Sequence, residues 1–180
     1  LRYSFKVNYI CLKAFFMQEI LNKKDIDQKI TRLAHQIIEN TFEIEQLFIG
    51  GIKGNGEILA KEITKIIQGN SNQKITSFNI SLNKNEPWSE PIELSIPQNT
   101  LKHGYILLVD DVLNSGKTMQ YALIKLLEQA TRAIKTVALV DRQHRRYPIK
   151  ADFVGLSLST TLKERVTIDL SNDNPTAYLV

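Results

Sequence analysis

The stretch ILLVDDVLNSGKTM, residues 106–119, constrains the fold more than any other part of the chain. Ile106, Leu107, Leu108 and Val109 form an unbroken apolar run, which fits a strand covered on both faces rather than one with a wet side. Two aspartates follow, then a polar turn with Gly116, then the helix-like run TMQYALIKLLEQA, residues 118–130. A covered strand feeding a loop and a helix is the repeating unit of parallel α/β sheets.

The rest of the chain repeats that grammar. From Asp25, read as an N-cap, Ile26, Ile30, Leu33, Ala34, Ile37 and Ile38 recur at helical spacing. EQLFIGGI (45–52) predicts a strand ending in glycines, and GEILAKEITKIIQG (56–69) a helix stopped by Gly69. QKITSFNISL (73–82) alternates as a strand does. Residues 83–104 hold three of the five prolines and predict a long loop of the kind that serves as an active-site lid, with Trp88 as its packing anchor. IKTVALVDR (134–142), ADFVGL and ERVTIDL predict further strands. The expected architecture is α/β with a mainly parallel central sheet flanked by helices.

At 180 residues with 43% apolar content, about one domain is expected. No apolar run approaches the roughly 20 residues needed to cross a bilayer. The one cysteine, Cys11, excludes an internal disulfide and suits a reducing cytoplasm. A net charge of +4 is compatible with a phosphorylated substrate or with weak nucleic-acid contact and decides between neither. The first sixteen residues are aromatic, basic and without acids; they read either as a native leader or as an extension ahead of a start at Met17, leaving 17–180 as the domain.

Ser-Gly-Lys-Thr suggests a nucleotide-binding loop of the form G-x-x-x-x-G-K-[ST], but that form needs glycine at position 111, where this chain has aspartate. A carboxylate there would repel phosphate. Two carboxylates at a strand end instead suit the vicinal hydroxyls of a ribose, because each ionised carboxylate can accept two O–H bonds. Ser115, Gly116, Lys117 and Thr118 then offer amides and hydroxyls at a helix N-terminus, a seat for a phosphate dianion. The combination describes a ribose 5-phosphate clamp.

On these residues the chain resembles the type I phosphoribosyltransferases, which use 5-phosphoribosyl 1-diphosphate (PRPP). RLAHQIIEN, GIKGNGEILAKEI, ALVDRQHRRYPIKADFVG and STTLKERVTIDL are similar, in order and spacing, to its PyrR branch, pyrimidine operon attenuation proteins that also act as uracil phosphoribosyltransferases. The resemblance implies ribose binding by Asp110 and Asp111, and wrapping of the 5-phosphate by Asn114 to Thr118 after Val112 and Leu113. It implies a diphosphate loop at Lys53, Gly54, Asn55 and Gly56, with Lys53 among the catalytic groups, and a base hood at Val140, Asp141 and Arg142. Mg²⁺ is expected to arrive on PRPP, and an assembly of two or more copies is implied.

This chain departs from the branch pattern at two places. The diphosphate loop usually reads Lys-Thr-Arg-Gly, so Asn55 stands where a cation is expected, and Asn55→Arg should then raise turnover. The lid usually begins Tyr-Arg-Asp; here Asn83, Lys84 and Asn85 leave one lysine. Arg32, His35, His144, Arg145, Arg146 and Lys150 fall at positions resembling RNA-facing ones, or are ordinary solvated charges, and Leu156 stands where lysine is common. Three readings therefore stand: a pyrimidine phosphoribosyltransferase, an RNA-binding regulator with PRPP or UMP as effector, and a purine-type phosphoribosyltransferase.

Overall fold

The computed structural model describes residues 17–160 and 164–180. The expectation for residues 1–16 lies outside them. The described chain runs β1 (Gln18–Leu21), α1 (Lys23–Asn40), β2 (Gln46–Ile52), α2 (Asn55–Asn70), β3 (Lys74–Ser81) and β4 (Glu93–Leu94). A short 3-10 turn (Gln98–Leu101) leads into β5 (Tyr105–Leu113), α3 (Lys117–Leu127), β6 (Ala133–Asp141), β7 (Phe153–Ser157), β8 (Val166–Asp169) and β9 (Thr176–Leu179).

The central sheet has the order β4-β3-β2-β5-β6-β7, parallel throughout except for the edge strand β4. The predicted α/β architecture is therefore present. A second, antiparallel sheet, β1-β9-β8, packs Leu21, Val166, Ile168 and Ala177 into the core shared with α1 and α2. Its strands β1 and β9 were not anticipated: four residues give too few positions for an alternating pattern to stand out.

Strand parity explains the unbroken apolar runs. Leu107 and Val109 join Leu47, Ile49, Val137 and Leu139 in a core with α1 and α2, while Ile106 and Leu108 join Phe48, Ala138 and α3 residues Met119, Ala122 and Leu126 on the other face. With helices on both faces, every position of β5 from Ile106 to Val109 is fully buried. Each such Leu or Ile contributes about 1.5–3 kcal/mol of transfer free energy.

Several boundaries moved: α2 runs through Gly69 to Asn70, and α3 ends at Leu127 rather than at residue 130. Asp25 does not cap α1; Asn22 does, its side chain accepting from the Asp25 amide at 3.0 Å while the Asp25 carboxylate accepts from the Asn22 amide at 3.2 Å. The predicted cap is thus the third helical residue of a reciprocal box. The Pro-rich segment is also less loose than predicted, because β4 pairs with β3 and Leu101 is fully buried.

The sheet places the site. β2 feeds α2 and then β3 on one side, whereas β5 feeds α3 and then β6 on the other, so the crevice between β2 and β5 is where the winding direction reverses. The β2–β5 ladder stops at Gly51 and Val109, but β5 stays paired with β6 up to Leu113 and Asp141. From Asp110 onward one edge of β5 faces that crevice.

Candidate active site

Two strand–glycine–helix turns flank the crevice. After β2, Lys53 donates its amide to the Ile80 carbonyl at 2.9 Å, and Gly54 takes φ 99°, ψ −135°, a conformation closed to residues with a Cβ. Gly56 follows on the first turn of α2, where a Cβ would lie 3.0 Å from the Asp110 carboxylate. That glycine lets the helix start against the aspartate pair.

After β5, Gly116 is left-handed at φ 84° and opens α3. Neither α2 nor α3 has a side-chain cap, in contrast to the fully capped α1. Apart from Glu57, whose amide donates to the Gly54 carbonyl at 3.1 Å, and Lys117, their first-turn amides keep the donor capacity that attracts anions. Lys117 donates its amide to Ser115 Oγ at 3.3 Å. Asp110 and residues Val112 to Met119 line a hollow of about 30 Å³. Larger grooves, of about 410 and 480 Å³, lie along α1–α2 and beside Phe42. Oriented amides and charge identify a phosphate seat better than enclosed volume does.

Asp110 is 5% and Asp111 9% exposed. Burial pushes the Asp110 carboxyl well above the usual carboxylate range; the adjacent Asp111 charge adds to this and Lys84 opposes it. Lys84 Nζ stands 3.6 Å from Asp110 Oδ1, so the base of the predicted lid reaches the pair. Asp111 is held from another side: Asn55 Nδ2 donates to its Oδ2 at 3.0 Å.

A brace from the β6–β7 connection supports the turn between β5 and α3. The amides of Arg146 and Tyr147 both donate to the Ser115 carbonyl, at 2.9 and 3.1 Å. Arg142 reaches Asn114 Oδ1 at 2.6 Å and Thr160 Oγ1 at 2.6 Å. Burial, then the nearby Arg165, lowers its pKa, with Glu164 opposing. Asp141 accepts from the Gln143 amide at 2.9 Å and pairs with Arg145.

Several predicted site residues sit differently from expectation. Leu113 and Val140 are core side chains, 1% and 0% exposed, so only their backbone can meet a ligand. Arg145 pairs with Asp141, and Arg32, which is exposed, donates through one guanidinium nitrogen to the Gly155 carbonyl at 2.6 Å. His35, Arg146 and Lys150 are exposed and His144 is half-buried. Trp88 is 61% exposed rather than buried: it lies 6.1 Å from the Tyr121 ring and 5.3 Å from Lys117 Nζ. Lys117 also donates to the Asn85 carbonyl, setting the lid tip against the start of α3. Nothing in the sequence pairs residues 85 and 117 in advance.

A phosphoribosyl transferase domain model matches residues 17–169. The bifunctional protein PyrR of Leifsonia xyli subsp. xyli is 34% identical over 161 residues, covering 83% of this chain and 87% of that protein. The chain belongs to the PyrR branch of the phosphoribosyltransferases. PyrR of Corynebacterium glutamicum is likewise 34% identical, over 85% of each chain. Among solved structures, the hypoxanthine phosphoribosyltransferase of Trypanosoma cruzi superposes with a TM-score of 0.70 at 14% identity, over 91% of this chain and 97% of that one. A hypoxanthine-guanine phosphoribosyltransferase of Bacillus anthracis gives 0.68 at 18%, over 89% and 98%. At such identities the structural likeness concerns the fold. This PyrR-type chain is thus a phosphoribosyltransferase, and among its described residues no helix is long and apolar enough to cross a membrane.

Proposed function

We propose that the chain transfers the phosphoribosyl group of PRPP to uracil, giving UMP and diphosphate, in the cytoplasm. The observation that carries this reading is the placement of Asp110 and Asp111 in the crevice between two uncapped, glycine-opened helices. The carboxylates accept the ribose hydroxyls, the amides from Ser115 to Thr118 hold the 5-phosphate, and the Lys53–Gly54 turn receives the diphosphate.

In the transfer, the C1′–O bond to diphosphate breaks, a C1′–N bond to the base forms and the base nitrogen releases its proton. Positive charge gathers on the sugar in between, next to the two aspartates. The protein forms no covalent bond, so positioning and charge stabilisation supply the rate. Lys53 and Lys84 face the departing diphosphate. Closure of the segment from Asn83 to Gln98 keeps water from PRPP.

Two adjacent carboxylates are hard oxygen donors of the type magnesium takes, and their number suits an ion whose other ligands come from the substrate. When bound, Mg²⁺ supplies neutralising charge to the diphosphate.

The test is a panel in which PRPP is offered with each nucleobase and diphosphate release is measured. Uracil gives the fastest release if the reading holds; release with purines alone would move the chain to the purine-type reading. RNA binding is the lesser role here. With Leu156 where the branch commonly has lysine and a net charge of only +4, affinity for pyrimidine-leader hairpins is weak and non-specific at physiological salt. Its log-log salt slope then corresponds to few contacts at about −0.7 to −0.9 per phosphate. Tight, UMP-strengthened hairpin binding with no base giving turnover would reverse that ranking.

A further inference from the structure

We propose that Asn55 is a positioning residue that pins Asp111 to the small antiparallel sheet, so that the ribose clamp and β8 are held as one unit. The inference rests on Asp111 being a ribose ligand.

Every polar atom of the Asn55 amide is used. Nδ2 donates to Asp111 Oδ2 at 3.0 Å and to the Ile168 carbonyl at 2.8 Å, while Oδ1 accepts from the Leu170 amide at 3.3 Å. One amide orientation alone satisfies all three, because a backbone N–H can only donate and a carbonyl can only accept. The far end of the bridge is anchored by packing, since Ile168 and Leu170 are 6% and 9% exposed within the core beneath α1 and α2.

Strand parity brings the near end into place. Asp111 continues the face of β5 that carries Leu107 and Val109 toward α2, whose first residue is Asn55. The residue where the branch pattern has arginine is therefore turned toward the carboxylate and the second sheet. Arginine could donate to Asp111 and Ile168 but could not accept from Leu170. Aspartate would keep the size of Asn55, lose both donors and set a second anion against Asp111.

A double-mutant cycle on the full chain tests this, with PRPP affinity read by calorimetry and folding by thermal melting. Asn55→Ala weakens PRPP binding about tenfold when Asp111 is present and less than about twofold in the Asp111→Ala background, as coupled contacts do. A residue that only stabilised the fold would lower affinity by the same factor in both backgrounds, and that additivity would overturn the proposal. Should Asn55→Ala not fold, Asn55→Ser, uncharged and too short to span the three contacts, replaces it, with the same coupling expected and the same additivity excluding it. If Asp111→Ala by itself leaves PRPP affinity unchanged, the ribose-clamp reading fails and this inference falls with it. A strong Asp111 effect with no Asn55 coupling removes the inference and leaves the clamp.

Discussion

The turns after β2 and β5 are built alike and supported differently. Each ends a buried strand, passes through a left-handed glycine and opens a helix without a side-chain cap. The β5 turn leans on a nearby stretch, where Arg142, Arg146 and Tyr147 meet Leu113, Asn114 and Ser115 within about one β–α–β unit. The β2 turn leans on residues 113 and 115 positions away, through Asn55 to Ile168 and Leu170. The β5 turn is thus specified locally, whereas the orientation of the Asp111 carboxylate depends on residues 168–170.

The comparison breaks most readily at Asp111. If its carboxylate accepts ribose hydroxyls, Asp111→Asn weakens PRPP binding by roughly 1.5–3 kcal/mol per lost charge-assisted bond, seen by calorimetry, while the melting temperature holds. Unchanged affinity would separate the aspartates from the two turns.

Gly116→Ala probes the β5 turn alone. Left-handed backbone costs a residue with a Cβ about 1–2 kcal/mol, and that Cβ would lie 2.7 Å from Ile149 Cγ2. Melting should drop by about 2–4 °C per kcal/mol, with weaker UMP binding. A variant that melts like the parent would show that the brace from residues 146–149 is not packed on the turn.

Asn55→Arg probes the other turn. Replacing the cation missing from the branch pattern should raise turnover if the residue faced diphosphate. With its amide engaged by Asp111, Ile168 and Leu170, the change instead lowers turnover several-fold in steady-state assays. A faster enzyme would restore the simpler reading.

These cases show what was legible in the residues. The β5 unit was readable because its signals are contiguous: an apolar run, two acids, a glycine, a helix. Helix α1 was readable from periodicity, but its start was misplaced by three residues because Asn22 and Asp25 are both capping residues and the box uses both. One strand of the small sheet's three was visible, since β8 alternates inside ERVTIDL whereas β1 and β9 are too short to register. The partners of Arg32 and Arg145, a strand carbonyl and Asp141, were not legible because tertiary packing and a tight turn set them.

The last test concerns pH. Because burial holds the Asp110 carboxyl above its unfolded value, the protonated form favours folding, and that contribution is complete below the unfolded range near pH 4 and lost as pH rises through the folded value. Asp110→Asn carries no charge at any pH. It should melt above the parent at about pH 8 and converge with it near about pH 4. A constant gap across that window would show that the Asp110 carboxyl is not raised.

A crystal structure with PRPP and Mg²⁺ bound tests most directly whether one ligand spans both turns. The 5-phosphate should lie on the amides of Ser115 to Thr118, the ribose hydroxyls on Asp110 and Asp111, and the diphosphate on the Lys53–Gly54 turn. Phosphate density at another site, with the two aspartates turned away from the sugar, would contradict it.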